Sequence, residues 1–384
     1  MHEGWQEFLL SEIAELDSRK PDSFTGVRYY VDTGSVSGRS LSNELAAVTY
    51  SNRPSRANED RSAGDVGFSK MKLSDKTVLV TPETAQHLFS TGFQFLRPKP
   101  NVVPEFLFLV CSSSQFRQDR DALTGDGIMG SVSRRNASSI KIFLPPRSEQ
   151  ARIVNVIESI DSYIDSLQTQ VEATRAARSA LLAELLSNPG NDWQVTTLGD
   201  VADYQNGFPF KPEHLAGSVL PVIRIRQLLD EAEAPDRTDI AVSERHRIND
   251  GDIIFSWSAT LAVRIWNRGP AVLNQHLFKV LAKPQVEPAW LASALDDAIR
   301  DLTGKTHGTT MKHITKRALS AHVISLPPRK EQLRIADLVG SFDKQIASLD
   351  SQIDSAQSFR AGVLSELLSG ERLLDASYDV AVSL

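Results

Sequence analysis

A single cysteine, Cys111, stands among 384 residues. That excludes an internal disulfide and any zinc cluster built on cysteines. Long apolar runs are missing too: the longest, Phe106 to Cys111, falls far short of the ~20 residues that span a bilayer. The opening residues MHEGWQEF lack the basic and apolar pattern of a secretory signal. Together these absences lead us to expect a cytoplasmic protein. Nor is there an excess of positive charge. Lys and Arg number 42 against 48 Asp and Glu, a net charge of -6. A nucleic-acid surface would have to come from local clustering, not from the chain as a whole.

Catalytic motifs are equally scarce. The eight histidines are scattered without an HExxH pair, and no GxSxG elbow occurs. The Asn/Asp-Pro-Pro-aromatic motif of a methyltransferase is absent, because each Pro-Pro lies in a Leu-Pro-Pro-Arg context. Gly125 to Gly130 matches GxGxxG by spacing, but no strand–helix unit frames it. Gly304-Lys305-Thr306 resembles the end of a phosphate-binding loop, yet the earlier glycine that such a loop requires is Ile299. The simplest reading is a chain that catalyses nothing alone and holds no metal or cofactor.

What the chain does contain is a repeat. Leu144 to Ser187 and Leu326 to Ser369 align without a gap at an offset of 182, with 20 of 44 positions identical. A shorter match, WQEFLLSEIAE from Trp5 and WQVTTLGDVAD from Trp193, precedes each copy. Four segments follow: a globular part at 1–143, a helix at 144–190, a second globular part at 191–325, and a helix with its tail at 326–384. The globular parts are nearly neutral, with 17 basic and 17 acidic residues in the first and 15 and 16 in the second. The helical segments hold most of the excess acid.

Ile153, Ile157, Ile160, Ile164, Leu167, Val171, Thr174, Arg178, Leu181 and Leu185 alternate steps of four and three, the seam of a coiled coil. Ile335, Val339, Phe342, Ile346, Leu349, Ile353, Ala356, Arg360, Val363 and Leu367 repeat it. Each helix would be about 57 Å long, opened by a Pro-Pro pair. A narrow seam on a polar helix needs a partner, and each helix is the other's simplest partner. A globular part of this size cannot carry the chain back along a whole helix, so the helices should run antiparallel with a pseudo-two-fold axis. Arg178 and Arg360, at matching seam positions, either pair with a nearby acid such as Asp354 or Glu172 or contact a partner subunit.

Both globular parts read as mixed α/β. Val219 to Arg226, Asp252 to Ser258, Val78 to Val80 and Phe93 to Leu96 read as strands. Ala289 to Leu302 and Pro104 to Arg117 read as helices. The parts match at their ends and diverge in the middle, as one scaffold with two recognition surfaces would. Candidate DNA contacts in the first part are Arg53, Arg56, Asn58, Arg61, Lys70, Lys72, Arg134 and Arg135. In the second they are Lys211, Arg224, Arg226, Gln227, Arg245, Gln275 and Lys316, with Lys305, His307, Thr309, Thr310 and Lys312 as the densest cluster. Arg and Lys suit guanine edges and phosphates, and Asn and Gln suit adenine edges. Any one of these taken singly is more simply a solvated surface residue.

Leu144-Pro-Pro-Arg-Ser-Glu-Gln150 and Leu326-Pro-Pro-Arg-Lys-Glu-Gln332, each opening a long helix, resemble the specificity subunits of type I restriction–modification systems. So do Trp193 to Gly207, Phe208-Pro-Phe-Lys211, Val222 to Arg226, Gly251 to Ile254, Asn274 to Leu277 and Gly308 to Ile314. The first part keeps Trp5, Gly64-Asp65 and the Leu-Pro-Pro but departs in its middle. The resemblance implies an α+β fold in which two target recognition domains are joined by two antiparallel coiled-coil helices. It implies a non-catalytic subunit that binds double-stranded DNA, with each domain reading half of a bipartite target and the helices setting the spacer. Two methyltransferase subunits and the restriction subunits would be its partners, and S-adenosylmethionine, ATP and Mg would be held by them. The competing expectations are a coiled-coil adaptor that binds no DNA and a detached part of a larger restriction enzyme.

Overall fold

A computed structural model describes residues 4–125, 130–304, 313–375 and 378. The chain divides into two compact units, Met1–Leu167 with Gln352–Leu384, and Gln168–Ser351. Each unit holds one sheet-rich region and part of each of two 41-residue helices, Arg147–Ser187 and Arg329–Ser369. The class is α+β, as the sequence suggests.

In the first unit one sheet runs in the order Ala14–Asp17, Phe93–Pro98, Val66–Ser69, Thr77–Leu79, antiparallel throughout. The other runs Ala46–Val48, Arg28–Val31, Leu88–Ser90, Ala57–Asp60, and its central pair is parallel. A ribbon of Gln6–Leu9 with Lys141–Leu144 ties the opening strand to the one that feeds the first long helix. The second unit repeats this plan strand for strand. Its sheets run Ala202–Asn206, Leu277–Ala282, Ile253–Ser256, Ala262–Ile265 and Arg237–Thr238, Leu220–Ile223, Ala271–Leu273, Arg247–Ile248. Its ribbon pairs Gln194–Thr197 with Val323–Leu326. The middles of the two parts, divergent in sequence, therefore share one topology. Among the described residues the first unit adds a small hairpin, Val36–Ser37 with Ser40–Leu41, and has two helices, Pro104–Ser112 and Ser114–Ala122, where the second has Pro288–Gly304.

Local chemistry explains the recurring turn before each central strand. Gly64 and Gly251 have φ of +89° and +93°, a backbone region that strains other residues. The next residue locks the turn: the Asp65 carboxylate accepts the Ser62 N–H at 3.2 Å, and the Asp252 carboxylate accepts that of Asn249 at 2.8 Å. Two readings of the sequence need correction. Pro104 to Arg117 is not one helix but two, Pro104–Ser112 and Ser114–Ala122. Ser113 is extended between them, and its hydroxyl accepts the Phe116 N–H, capping the second helix. The strand expected over Val219 to Arg226 stops at Ile223, and Ile225–Leu229 is a helical turn.

The seam residues are buried or half-buried. In the first unit Ile153, Ile157, Val363 and Leu367 merge with Leu10, Ile13, Phe106 and Leu107 in a single core. In the second, Ile335 and Val339 do the same with Leu198, Phe255 and Trp290. Near its end the first helix buries Leu182 in place of Leu181. A straight helix drifts about 20° per heptad, which shifts the buried stripe by one residue over such a length. Within each unit the helix segments are antiparallel. In the first, Asp161 meets Arg360 while Glu149 accepts the Leu374 N–H. In the second, Arg178 meets Asp343 and Arg175 meets Asp350.

The repeated Leu-Pro-Pro-Arg motif does more than start a helix. Gln150 is fully buried. Its carbonyl accepts the Val103 N–H at 2.8 Å, and its amide donates to the Pro145 and Asn101 carbonyls at 2.9 and 3.1 Å. Gln332 accepts the Glu287 N–H at 2.7 Å and donates to the Pro327 carbonyl at 2.8 Å. Each glutamine thus fastens the first turn of a long helix to the loop before a domain helix. Replacing Gln150 or Gln332 by Leu orphans that N–H and should cost about 1–3 kcal/mol each. Chemical denaturation measures this, and a loss near zero at both sites would show that the clamp is not stabilising.

Candidate nucleic-acid interface

In the first unit a rim of cations forms around the loop between the strands Val66–Ser69 and Thr77–Leu79. Lys70 and Lys72 lie on that loop. An antiparallel bridge joins Met71 to Ser131, and the Lys70 carbonyl accepts the Val132 N–H at 2.9 Å. The bridge carries the chain into the short helix Arg134–Ser138, capped by the Ser133 hydroxyl, which exposes Arg134 and Arg135. On the other side the Lys70 N–H donates to the Gly92 carbonyl, and the Thr91 N–H donates to that of Arg56. Arg56 is exposed, and the Arg53 guanidinium lies 3.9 Å over the Tyr50 ring. Asn58 is half-buried in the strand Ala57–Asp60. Burial pulls Lys70 below the usual lysine range, Glu59 opposes the shift and Arg134 adds to it. An arriving phosphate would favour the charged form again.

The matching loop of the second unit is built the same way with different side chains. Ser258 bridges His313, and the Ile314 N–H donates to the Trp257 carbonyl at 2.9 Å. The Trp257 ring stacks on Phe278 at 5.8 Å and faces His276 and His313 at 5.6 and 6.0 Å, while its indole N–H donates to the Gln275 carbonyl. Gln275, Lys211, Arg226 and Arg245 are exposed. Lys316 donates to the Tyr204 carbonyl at 2.7 Å. Half-buried Arg224 reaches Asp236 at 3.3 Å. The sequence reading missed Trp257 as a rim residue because it took it for the continuation of a buried strand. The strand Ile253–Ser256 ends one residue earlier. Lys305, His307, Thr309, Thr310 and Lys312 lie outside the described residues, as does part of Gly125 to Gly130.

Arg178 and Arg360 are engaged inside their own units. Arg178 reaches Asp343 at 2.7 Å and Asp296 at 2.9 Å. Burial opposes its charge, but the two carboxylates outweigh burial and hold it above the usual arginine range. Arg360 forks onto Asp161. Their partners are therefore not Glu172 or Asp354, and their forks do not stand free for another subunit. The antiparallel register sets the partners: 161 and 343, like 178 and 360, are separated by the repeat offset of 182. The same pair is made twice with the two helices exchanging roles.

A family model described as the type I restriction modification DNA specificity domain matches this chain twice, at residues 2–174 and 190–356. The chain belongs to that family. It is 25% identical to the type I restriction enzyme EcoBI specificity subunit of Escherichia coli over 187 residues, 47% of this chain and 39% of that one. It thus spans about two fifths of the length of that relative. With the putative type I restriction enzyme MjaX specificity subunit of Methanocaldococcus jannaschii it is 23% identical over 349 residues, 80% of this chain and 78% of that one. Its fold is similar to a chain from a solved type I R-M system, with a TM-score of 0.63 and 22% identity, covering 96% of this chain and 98% of that one.

Within the family fold, two expected readers prove to be supports. Arg61 is buried, with its side chain 0% exposed. It pairs with Asp17 at 2.6 Å and with Glu59, and lies over the Phe95 ring. Burial raises the cost of ionising Asp17, but Arg61 and Arg19 outweigh it and hold the carboxyl below its usual range. Gln227, also buried, accepts the Arg224 N–H and donates to the Ala234 carbonyl, so it caps a helical turn. Arg61 directly follows the strand Ala57–Asp60, and Gln227 lies in the helical turn Ile225–Leu229. Among the described residues no group of three metal-ligating side chains occurs, and no helix is long and apolar enough to cross a membrane. Cys111 is buried, which pushes its thiol upward, away from the reactive thiolate.

Removing Arg61 strands the buried carboxylates. Arg61→Ala should lower stability by about 3–5 kcal/mol, read by denaturant unfolding. Unchanged stability with weakened DNA binding would restore Arg61 as a reader.

Proposed function

We propose that this chain is the non-catalytic DNA-specificity subunit of a type I restriction–modification complex. Each sheet-rich region reads one half of a bipartite double-stranded target, and the helix pair sets the unread spacer. The observation that carries this reading is the pairing of identical topology with different rims. The frame is repeated down to the Gln150 and Gln332 clamps. The loops beside it present Lys70, Lys72 and Arg134 in one unit and Trp257, Gln275 and His313 in the other. A repeated frame with unlike readers suits a target that is doubled in geometry and asymmetric in sequence.

Two methyltransferase subunits would dock on the helices and place S-adenosylmethionine chemistry at each half-site. Restriction subunits would bring ATP, Mg and cleavage. Tyr163 and Phe359, 53% and 60% exposed on the helix segments of the first unit, offer an apolar surface for such docking. Nearly neutral domains fit a subunit whose partners supply much of the phosphate neutralisation.

Co-expression with the cognate methyltransferase, followed by mapping of methylated adenines, tests the proposal. A split motif with a fixed gap is the expected result. A contiguous motif or random methylation would overturn it. Methylation or cleavage by the purified chain alone would overturn its non-catalytic assignment. Inserting one heptad between Ile164 and Val171 should lengthen the gap or abolish activity, whereas an unchanged gap at full activity would dismiss the helices as the spacer.

A further inference from the structure

Leu73 is 79% exposed, at the tip of the loop that follows Val66–Ser69. Its φ is +62°. That conformation brings the Cβ of an L-residue close to its own carbonyl and favours glycine. The loop is nonetheless anchored from behind. The Leu73 N–H donates to the Asp121 carboxylate at 3.0 Å, and that carboxylate also holds buried Arg120 at 2.7 Å. The Met71–Ser131 bridge fixes the loop on its other flank.

The corresponding, shorter loop of the second unit also holds a residue at positive φ, one position nearer its bridge. There Ala259 has φ of +57° beside the Ser258–His313 bridge. A positive-φ residue just past the bridge thus occurs in both loops, but with a different position and side chain in each. In the first unit a large apolar group is held in water, on a strained backbone, where nothing in the fold needs it.

Its surroundings indicate what it meets. Lys70, Lys72 and Lys76 share its loop, and Arg134 acts on Lys70 from the adjoining helix. Of the neighbouring acids, Asp121 is already paired, and Asp75 lies 3.4 Å from Lys76. An apolar tip on a loop that also carries three lysines suits a polyanion with an apolar spot at the floor of a groove. Duplex DNA presents one such spot in its major groove, the C5 methyl of thymine, and that groove admits a two-stranded ribbon. We propose that Leu73 reads a thymine methyl group in the half-site bound by the first unit. This rests on the DNA-reading role proposed above.

The test uses the assembled complex with its methyltransferase and duplexes in which each thymine of that half-site is replaced, one at a time, by uracil. Uracil removes the methyl and nothing else. At one position the wild-type complex should bind about three- to ten-fold more weakly, in the range for one buried methyl-sized group. The penalty should disappear in Leu73→Ala and in Leu73→Gly. Leu73→Gly should also unfold at the same temperature or higher, because glycine tolerates the kink. Weaker binding with undiminished stability separates contact from a structural role. A sequence-selective complex indifferent to every uracil, or one whose penalty persists in Leu73→Ala, would overturn the assignment alone. A complex with no sequence preference would overturn the DNA-reading role along with it.

Discussion

A buried amide is tolerable only when both its ends are satisfied, and the arrangement of this protein follows from meeting that condition twice. Gln150 and Gln332 each close a ring of contacts between a Pro-Pro carbonyl, a domain loop and the first turn of a long helix. Because the polar atoms are matched on both sides, the helix cannot slide or rotate against the sheets without exposing an unpaired group in an apolar core. The direction of each helix is thereby tied to the direction of the domain loop it is fastened to. The seam then needs only ordinary apolar packing to hold the helix segments together.

The frame was largely legible in the sequence and the reading surface was not. The heptad of Ile153, Ile157 and Ile164 signals its own structure, since a coiled coil is specified by local spacing alone. The antiparallel course followed from connection lengths. Arg61 and Gln227 misled because residue type cannot tell a side chain that faces solvent from one that faces a buried carboxylate or a loose backbone N–H. That difference depends on which strand edge the chain has just left. Trp257 was hidden because the strand pattern carries on past Ser256, where the strand ends, and does not show that the next residue is half-buried at the edge of the core. The break at Ser113 was visible only as the three serines 112–114 that follow the apolar run, where capping competes with helix continuation.

Electrostatics is arranged locally, which explains how a chain of net charge -6 can carry basic rims. Much of its charge is consumed in internal pairs such as Arg61 with Asp17 and Arg178 with Asp343. Those pairs position elements and leave little net field. Among the described residues, exposed cations such as Arg134 and Arg135 sit on elements that bridges and caps hold in place. Such a surface gains little affinity from charge alone, so orientation and shape weigh more heavily in what it selects.

The cross-helix ion pair has an evolutionary reading. Asp161 and Arg178 both lie in the first repeat, and Asp343 and Arg360 both lie in the second. Each repeat thus contains both complementary halves of the contact. Two copies of a half-length chain would have everything needed to close the same pairs with each other, so an ancestor of half the size is chemically sufficient. The two copies differ in sequence. Arg39, on a hairpin found only in the first unit, now shares Asp161 with Arg360, while Asp296 supports Arg178 in the second. The same pair is thus supported by different neighbours in the two units.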